Sequence, residues 1–271
     1  MQGIERITGQ RVIDPIEITR IQQERQERET GRKAAEVADT QTARLRLQSS
    51  GADEDYHRNL ASHPGGRELW SQRGLTEETI DYYSLGYCPS RKFRMDDVTF
   101  ESSTLAIPYY RYTSPGYREL IGLRHRLLIE NSPGGKYRPE FAGLGNNLFF
   151  TDHESDMQLN CLIVEGEIKA LVTWQTIYQS GLIEAGYPFV NRLSVVGIPG
   201  HNLKADLVDE FDACERIWIC LDPDAVCQSS ELAKALGSGR CKVIKLPGKI
   251  DDLINDQIID ALDIIKFMGV E

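Results

Sequence analysis

The run Cys161-Leu162-Ile163-Val164-Glu165-Gly166, with its downstream counterpart Ile217-Trp218-Ile219-Cys220-Leu221-Asp222-Pro223-Asp224, decides how this chain folds. Each is an apolar, β-branched-rich stretch of strand length that stops abruptly at carboxylates. Strands of a parallel sheet read as continuous apolar runs because helices cover both faces. Ligands in such sheets bind beyond the carboxyl ends of the strands. Glu165, Asp222 and Asp224 at neighbouring strand ends would present the oxygen donors that hard divalent cations take. The plainer alternative is that each acid caps the helix behind it. Working outward, Ala170–Ser180 reads as a helix, Leu193–Gly197 as a strand, Leu203–Cys214 as a helix and Cys241–Leu246 as another strand. Such alternation predicts an α/β fold around a mainly parallel four-stranded sheet flanked by helices.

Two further segments complete the pattern: Ile198-Pro199-Gly200-His201-Asn202 after the second strand, and Pro247-Gly248-Lys249-Ile250-Asp251-Asp252-Leu253 after the last. Over roughly residues 159–256 the order of elements resembles the Toprim domain shared by DnaG-type bacterial primases, topoisomerases and OLD-family nucleases. The region in front separates these branches. Arg73-Gly74-Leu75-Thr76-Glu77-Glu78-Thr79-Ile80 resembles the RGL-(S/T)-x-E-x-I entry of DnaG-type primases, and Leu85-Gly86-Tyr87-Cys88-Pro89 their LGY-x-P. Thr76 followed by two acids also suits a helix start. Leu105–Tyr109, Leu120–Arg126 and the pair Lys136-Tyr137 resemble the family's FPI strand, GFGGR strand and KY pair. Topoisomerases and OLD nucleases lack this preface, so the chain resembles the RNA-polymerase core of a DnaG-type primase, of phage or mobile-element character.

That resemblance implies three parts. Residues 1–55 form a charged helical extension and linker, 56–150 a smaller basic α+β subdomain, and 151–271 the Toprim domain with a C-terminal helix. It implies a DNA primase that makes short RNA primers on single-stranded DNA by metal-dependent nucleotidyl transfer. Glu165, Asp222, Asp224 and Lys169 would form the catalytic set, and Glu165, Asp222, Asp224 and Asp251 would hold Mg²⁺ or Mn²⁺. Arg124, Arg126, Lys136, Tyr137 and Arg111 would meet nucleotide or template. The partners implied are single-stranded DNA, ribonucleoside triphosphates and a replicative helicase, in the cytoplasm. Glu165 as a general acid/base, the role of its counterpart in topoisomerases, is an alternative to Glu165 as a metal ligand.

The sequence departs from the family at telling places. Lys169 stands where DnaG-type enzymes carry Asp, Pro223 and Val226 replace glycines, and Lys249 takes the place of an acid beside Asp251. Lysine at these places could neutralise a phosphate as a point charge. Two other readings stay open: a metal-dependent nuclease using the same acids, and a non-catalytic adaptor that binds single-stranded DNA or a helicase through a degenerate site.

Composition limits the classes. With 271 residues and 41% hydrophobic content, the chain can bury one large core or two small ones. Its six cysteines include no C-x-x-C pair, so no zinc site is expected, and several lie in apolar runs where a thiol packs as a small hydrophobe. No apolar run approaches the roughly 20 residues of a membrane span. The net charge of −10 is unevenly spread: bases outnumber acids between Cys88 and Glu140, and acids dominate from Glu165 onward. A basic face opposite an acidic site suits phosphates on one side and a cation on the other. Strand alternation puts Arg124 and Arg126 on one face and His125 on the other, where a structural role suits it. Tyr109, Tyr110, Tyr112, Tyr117 and Tyr137 lie among these bases and could stack on nucleobases, or simply pack.

Pro15–Gln48 is rich in helix formers but poor in apolar positions, which predicts a long solvated helix broken near Thr30-Gly31. Ser49–Asp53 reads as a linker, and Asn255–Gly269 as a C-terminal amphipathic helix. Gly3–Gly9 resembles the end of the zinc-binding module that precedes DnaG-type cores, so cysteine pairs are expected upstream of Met1.

Overall fold

The computed structural model describes residues 15–95, 97–114, 117–130, 132, 134–145, 147–151, 159–200, 203 and 207–270. Four helices come first: α1 (Pro15–Ser50), α2 (Ala52–Ser62), α3 (Pro64–Ser71) and α4 (Glu77–Tyr82). Strands β1 (Gly86–Met95), β2 (Val98–Ser114), β3 (Tyr117–Leu127) and β4 (Tyr137–Pro139) form an antiparallel sheet in that order. A second sheet is built from β5 (Phe149–Phe150), β6 (Asn160–Glu165), β7 (Leu193–Ile198), β8 (Arg216–Cys220) and β9 (Cys241–Val243). Its helices are α5 (Glu167–Tyr178), α6 (Val226–Ala235), α7 (Ile250–Asn255) and α8 (Ala261–Met268).

The second sheet runs β5-β7-β6-β8-β9. Its last four strands are mutually parallel, and β5 adds an antiparallel edge, making five strands where four were expected. Alternation along the strands sends side chains to opposite faces, and both faces are covered. Leu162, Val164, Val195, Trp218 and Cys220 face α5, α7 and α8 in one core, while Cys161, Ile163, Val196, Ile198, Ile217 and Ile219 face Phe211, Leu232 and Leu236 in another. The first core also takes in Leu60, Trp70, Ile80, Leu105, Ile107 and Ile121, so the helices of the N-terminal half and the antiparallel sheet share apolar contacts with the parallel sheet.

Several expected elements differ. Helix α1 runs unbroken through Thr30 and Gly31: Thr30 Oγ1 donates to the Gln26 carbonyl one turn back, which keeps its hydroxyl inside the helix. The helix is solvated along most of its length, but Ala43 and Leu47 are buried against Leu120, Leu123 and Leu144. Ser49–Asp53 is no linker. Helix α1 reaches Ser50, Gly51 turns the chain at φ 63°, and α2 begins at Ala52. The C-terminal helix expected over Asn255–Gly269 starts only at Ala261, because Gln257 adopts a left-handed φ of 57° and Asp260 starts α8 through a capping box with Asp263. Of the helix expected over Leu203–Cys214, the described residues show a 3-10 turn at Asp209–Phe211; His201, Asn202 and residues 204–206 lie outside them. The same holds for Gly3–Gly9. Among the described residues no helix is long and apolar enough to cross a membrane, and all six cysteines are free thiols.

Candidate functional site

The two acidic runs meet because β6 and β8 are direct neighbours. Val164 pairs with Cys220, so both strands run out at the same carboxyl edge, β6 at Glu165 and β8 two residues before Asp222. Neither acid caps a helix: the N-cap residues of α5 and α6 are Gly166 and Ala225. The turn after Glu165 depends on two glycines. Gly166 has φ 83°, which L side chains rarely adopt, and a Cβ on Gly197 would lie 2.7 Å from the Gly166 carbonyl oxygen.

Helix α5 then brings Lys169 back over the strand ends. Its ammonium lies 2.7 Å from Oδ1 and 2.9 Å from Oδ2 of Asp222, and the side chains of the pair are only 14% and 11% exposed. Lys249, just before α7, approaches the same carboxylate at 3.9 Å but is 55% exposed. The neighbouring Cys220 thiol is pushed up to about 12, mainly by burial and further by Asp222. Asp251 opens α7, whose residues contact α5. Burial raises its carboxyl, Lys169 pulls it back and Asp252 adds repulsion, and Asp251 Oδ1 is buried without a hydrogen-bond partner.

The antiparallel sheet faces this acidic edge with guanidinium groups. Arg124 pairs with Glu167, whose side chain is 3% exposed and also accepts from the Tyr109 hydroxyl. Burial opposes the charge on Arg124, but Tyr109 and Glu167 more than compensate, and its pKa rises. Tyr137 sits 4.8 Å from the Arg124 guanidinium and 5.6 Å from that of Arg126, and accepts a hydrogen bond from Arg126 at 2.8 Å. Arg73 is lowered first by burial and then by Arg126, and feels the opposing charges of Asp251 and Asp252. Its turn is held against α5 by Gln175, which accepts from Thr76 N at 2.8 Å and donates to the Gly74 carbonyl at 2.9 Å.

Of the expected residues, Lys169 pairs with Asp222 and its charge reaches Asp251, Glu165 stands at the adjacent strand end, and Arg124, Arg126 and Tyr137 form one group on the antiparallel sheet. Asp224 is exposed on the turn before α6, and Lys136 is exposed at the start of β4. Arg111 is exposed and stands 3.8 Å from Glu210, apart from the group at Tyr137. Tyr109 is buried, which removes it from base stacking, and the Tyr110 hydroxyl donates to Asp53; the side chains of Tyr112 and Tyr117 lie outside the described residues. His125 is fully buried between Thr104 and Glu140. Sequence reading missed Glu167 and Arg73 as parts of the site. Glu167 carries no pattern beyond an acid in a first helical turn, whereas Arg73 heads the quoted entry motif and could have been named.

The donor set is all carboxylate, the chemistry that Mg²⁺ and Mn²⁺ take, and the orphaned Asp251 oxygen suits a cation. Among the described residues, however, no three His, Cys, Asp or Glu side chains stand together as a metal-holding group. The coordination sphere expected for Glu165, Asp222 and Asp224 is therefore not assembled here. Both oxygens of Asp222 instead meet the Lys169 ammonium group.

Two solved structures are similar to this chain. The primase of Aquifex aeolicus, in its zinc-binding and RNA polymerase domains, aligns over 86% of this chain and 61% of its own, at 17% identity and a TM-score of 0.57. The chain thus spans about three fifths of that fragment. The primase fragment of the bacteriophage T7 primase-helicase protein aligns over 73% of this chain and 72% of its own, at 16% identity and a TM-score of 0.42. At such identity the first likeness shows a shared fold. No protein-family model and no curated protein sequence matches the chain.

Proposed function

We propose that this chain is the catalytic core of a DnaG-like primase, its parallel sheet a Toprim domain and its antiparallel sheet the basic subdomain before it. One observation carries the reading: adjacent parallel strands run out into Glu165 and the Asp222 turn, while Arg124 and Arg126 stand on an antiparallel sheet that shares an apolar core with them, and Arg73 lies in the turn before α4 beside Arg126. The fold shared with the Aquifex primase supports it. Glu165, Asp222, Asp224 and Asp251 would hold Mg²⁺ or Mn²⁺, which when bound supplies positive charge to the phosphates of the incoming ribonucleotide.

The protein's own residues bind and orient. Arg126, half-buried, and Arg73, exposed, repel each other and form a cationic lining suited to a triphosphate or template backbone. Arg124 is committed to Glu167 and Tyr109, so its part is to hold Tyr137 and the turn at Glu165 in place. Lys136 and Arg111 line exposed ground suited to template phosphates. Single-stranded DNA and ribonucleoside triphosphates are the substrates, and a replicative helicase is the natural partner.

Asp222→Ala and Glu165→Gln should each abolish ribonucleotide incorporation on a single-stranded template while the circular dichroism spectrum stays native. Wild-type synthesis by either variant removes the proposal, and cleavage of the template in a parallel assay would favour a nuclease. The second reading, a non-catalytic adaptor that binds single strands, draws support from the Lys169–Asp222 pair. Strand binding by the native chain without any incorporation would establish it.

A further inference from the structure

Both lysines that replace family acids face the same carboxylate. Lys169 bridges the two oxygens of Asp222 at 2.7 and 2.9 Å, in a pair largely withdrawn from solvent, and Lys249 stands 3.9 Å away. A withdrawn pair of opposite charges is screened far less than a surface pair. Any cation that takes Asp222 must therefore break the Lys169 contact or share the carboxylate with an ammonium group. The adjacent Asp251 keeps a buried oxygen with no hydrogen-bond partner, and its carboxyl feels the same ammonium.

We infer that Lys169 is a resident counter-ion that competes with the divalent cation for Asp222, making cation binding at this edge weak until the ammonium is displaced. The inference rests on reading Asp222 as a cation ligand. Lys169 acts here as a positioning residue: its charge sets the state of Asp222. An arriving triphosphate meets a neutralised carboxylate rather than a bare one, and its own anionic oxygens can then take over the displaced ammonium.

Manganese binding tests this without reference to turnover. Free Mn²⁺ is measured by electron paramagnetic resonance during titration of the full chain, with thermal unfolding as a check of fold. Lys169→Met keeps most of the stem and removes the charge, and it should tighten binding by at least about tenfold, given the size of a contact Coulomb term. Lys169→Arg should stay near wild type, and Asp222→Asn added to Lys169→Met should erase the gain. Measurable but equal affinity in wild type and Lys169→Met overturns the inference and leaves the metal-holding reading standing. Absence of binding in every variant overturns both. A second arm uses the native chain: saturating Mn²⁺ should raise acetylation of Lys169 severalfold in peptide mass spectra, and an unchanged level counts against the inference whether or not the variants fold.

Discussion

Glu167 shows how much one side chain can carry. Placed in the first turn of α5, it would ordinarily be a solvated acid that favours the helix dipole. Here it is buried, and it holds Arg124 and the Tyr109 hydroxyl across the gap between the two sheets. Breaking a buried ion pair leaves a charge without compensation. Glu167→Ala should therefore cost about 3–5 kcal/mol in urea unfolding, with Glu167→Gln losing less. A loss below about 1 kcal/mol, the usual ceiling for a surface pair, would mean that the contact is solvated. His125 and Glu140 predict a pH dependence. Burial lowers the His125 imidazole against the pull of Glu140, and its Nε2 donates to Glu140 while Nδ1 accepts from Thr104. Burial works to raise Glu140, but the hydrogen bond from His125 and the Arg91 guanidinium outweigh it, so its pKa is lowered. The unfolded chain thus binds protons that the folded one refuses, and stability falls with acid. The loss begins below about pH 6.5 as histidine charges in the unfolded state, and deepens below about pH 4.3 as Glu140 is protonated there. The urea midpoint should fall between pH 7 and pH 5, and His125→Gln should flatten that slope; a flat wild-type profile would contradict the assignment.

At the scale of elements, the β6–α5 turn and its neighbour β7 form one unit. Gly197 on β7 packs against the Gly166 carbonyl with no room for a methyl group, and Gly166 N donates to the Ile198 carbonyl at 2.8 Å. Backbone atoms cannot rotate aside as a side chain can. Gly197→Ala should destabilise the chain by about 1–3 kcal/mol through overpacking. On the proposed function, it should also slow ribonucleotide incorporation by roughly a hundredfold, because the turn that carries Glu165 is displaced. Full activity with native stability would show that the strand has slack. The strand and helix pattern of this half was legible because apolar runs and carboxylate ends are local signals. The ends of elements were less so: Gln257 and Asp260 delay the start of the last helix to Ala261 through a turn and cap that the apolar spacing of Ile258, Ile259 and Leu262 obscured.

Across the whole molecule, the two sheets share one of their cores. Trp70 and Leu105 belong to the same apolar cluster as Leu162 and Trp218. A continuous core predicts one cooperative transition. Far-ultraviolet circular dichroism and tryptophan fluorescence should give coincident urea midpoints, and the slowest amides of β3 and β6 should exchange at one common free energy. Two separated transitions would mean that the sheets unfold independently.

Local chemistry determined much of this protein from the sequence alone. The strands at Cys161 and Ile217 and the basic alternation at Arg124 and Arg126 were set by hydrophobic pattern and charge, which act over a few neighbouring residues. Tertiary structure decided what those charges do. Lys169 neutralises Asp222, Glu167 takes Arg124, Leu47 buries the end of a polar helix, and Asp251 keeps an unpartnered oxygen. Each of those outcomes depends on which distant groups share a small volume from which water is largely excluded, and no stretch of sequence carries that information by itself.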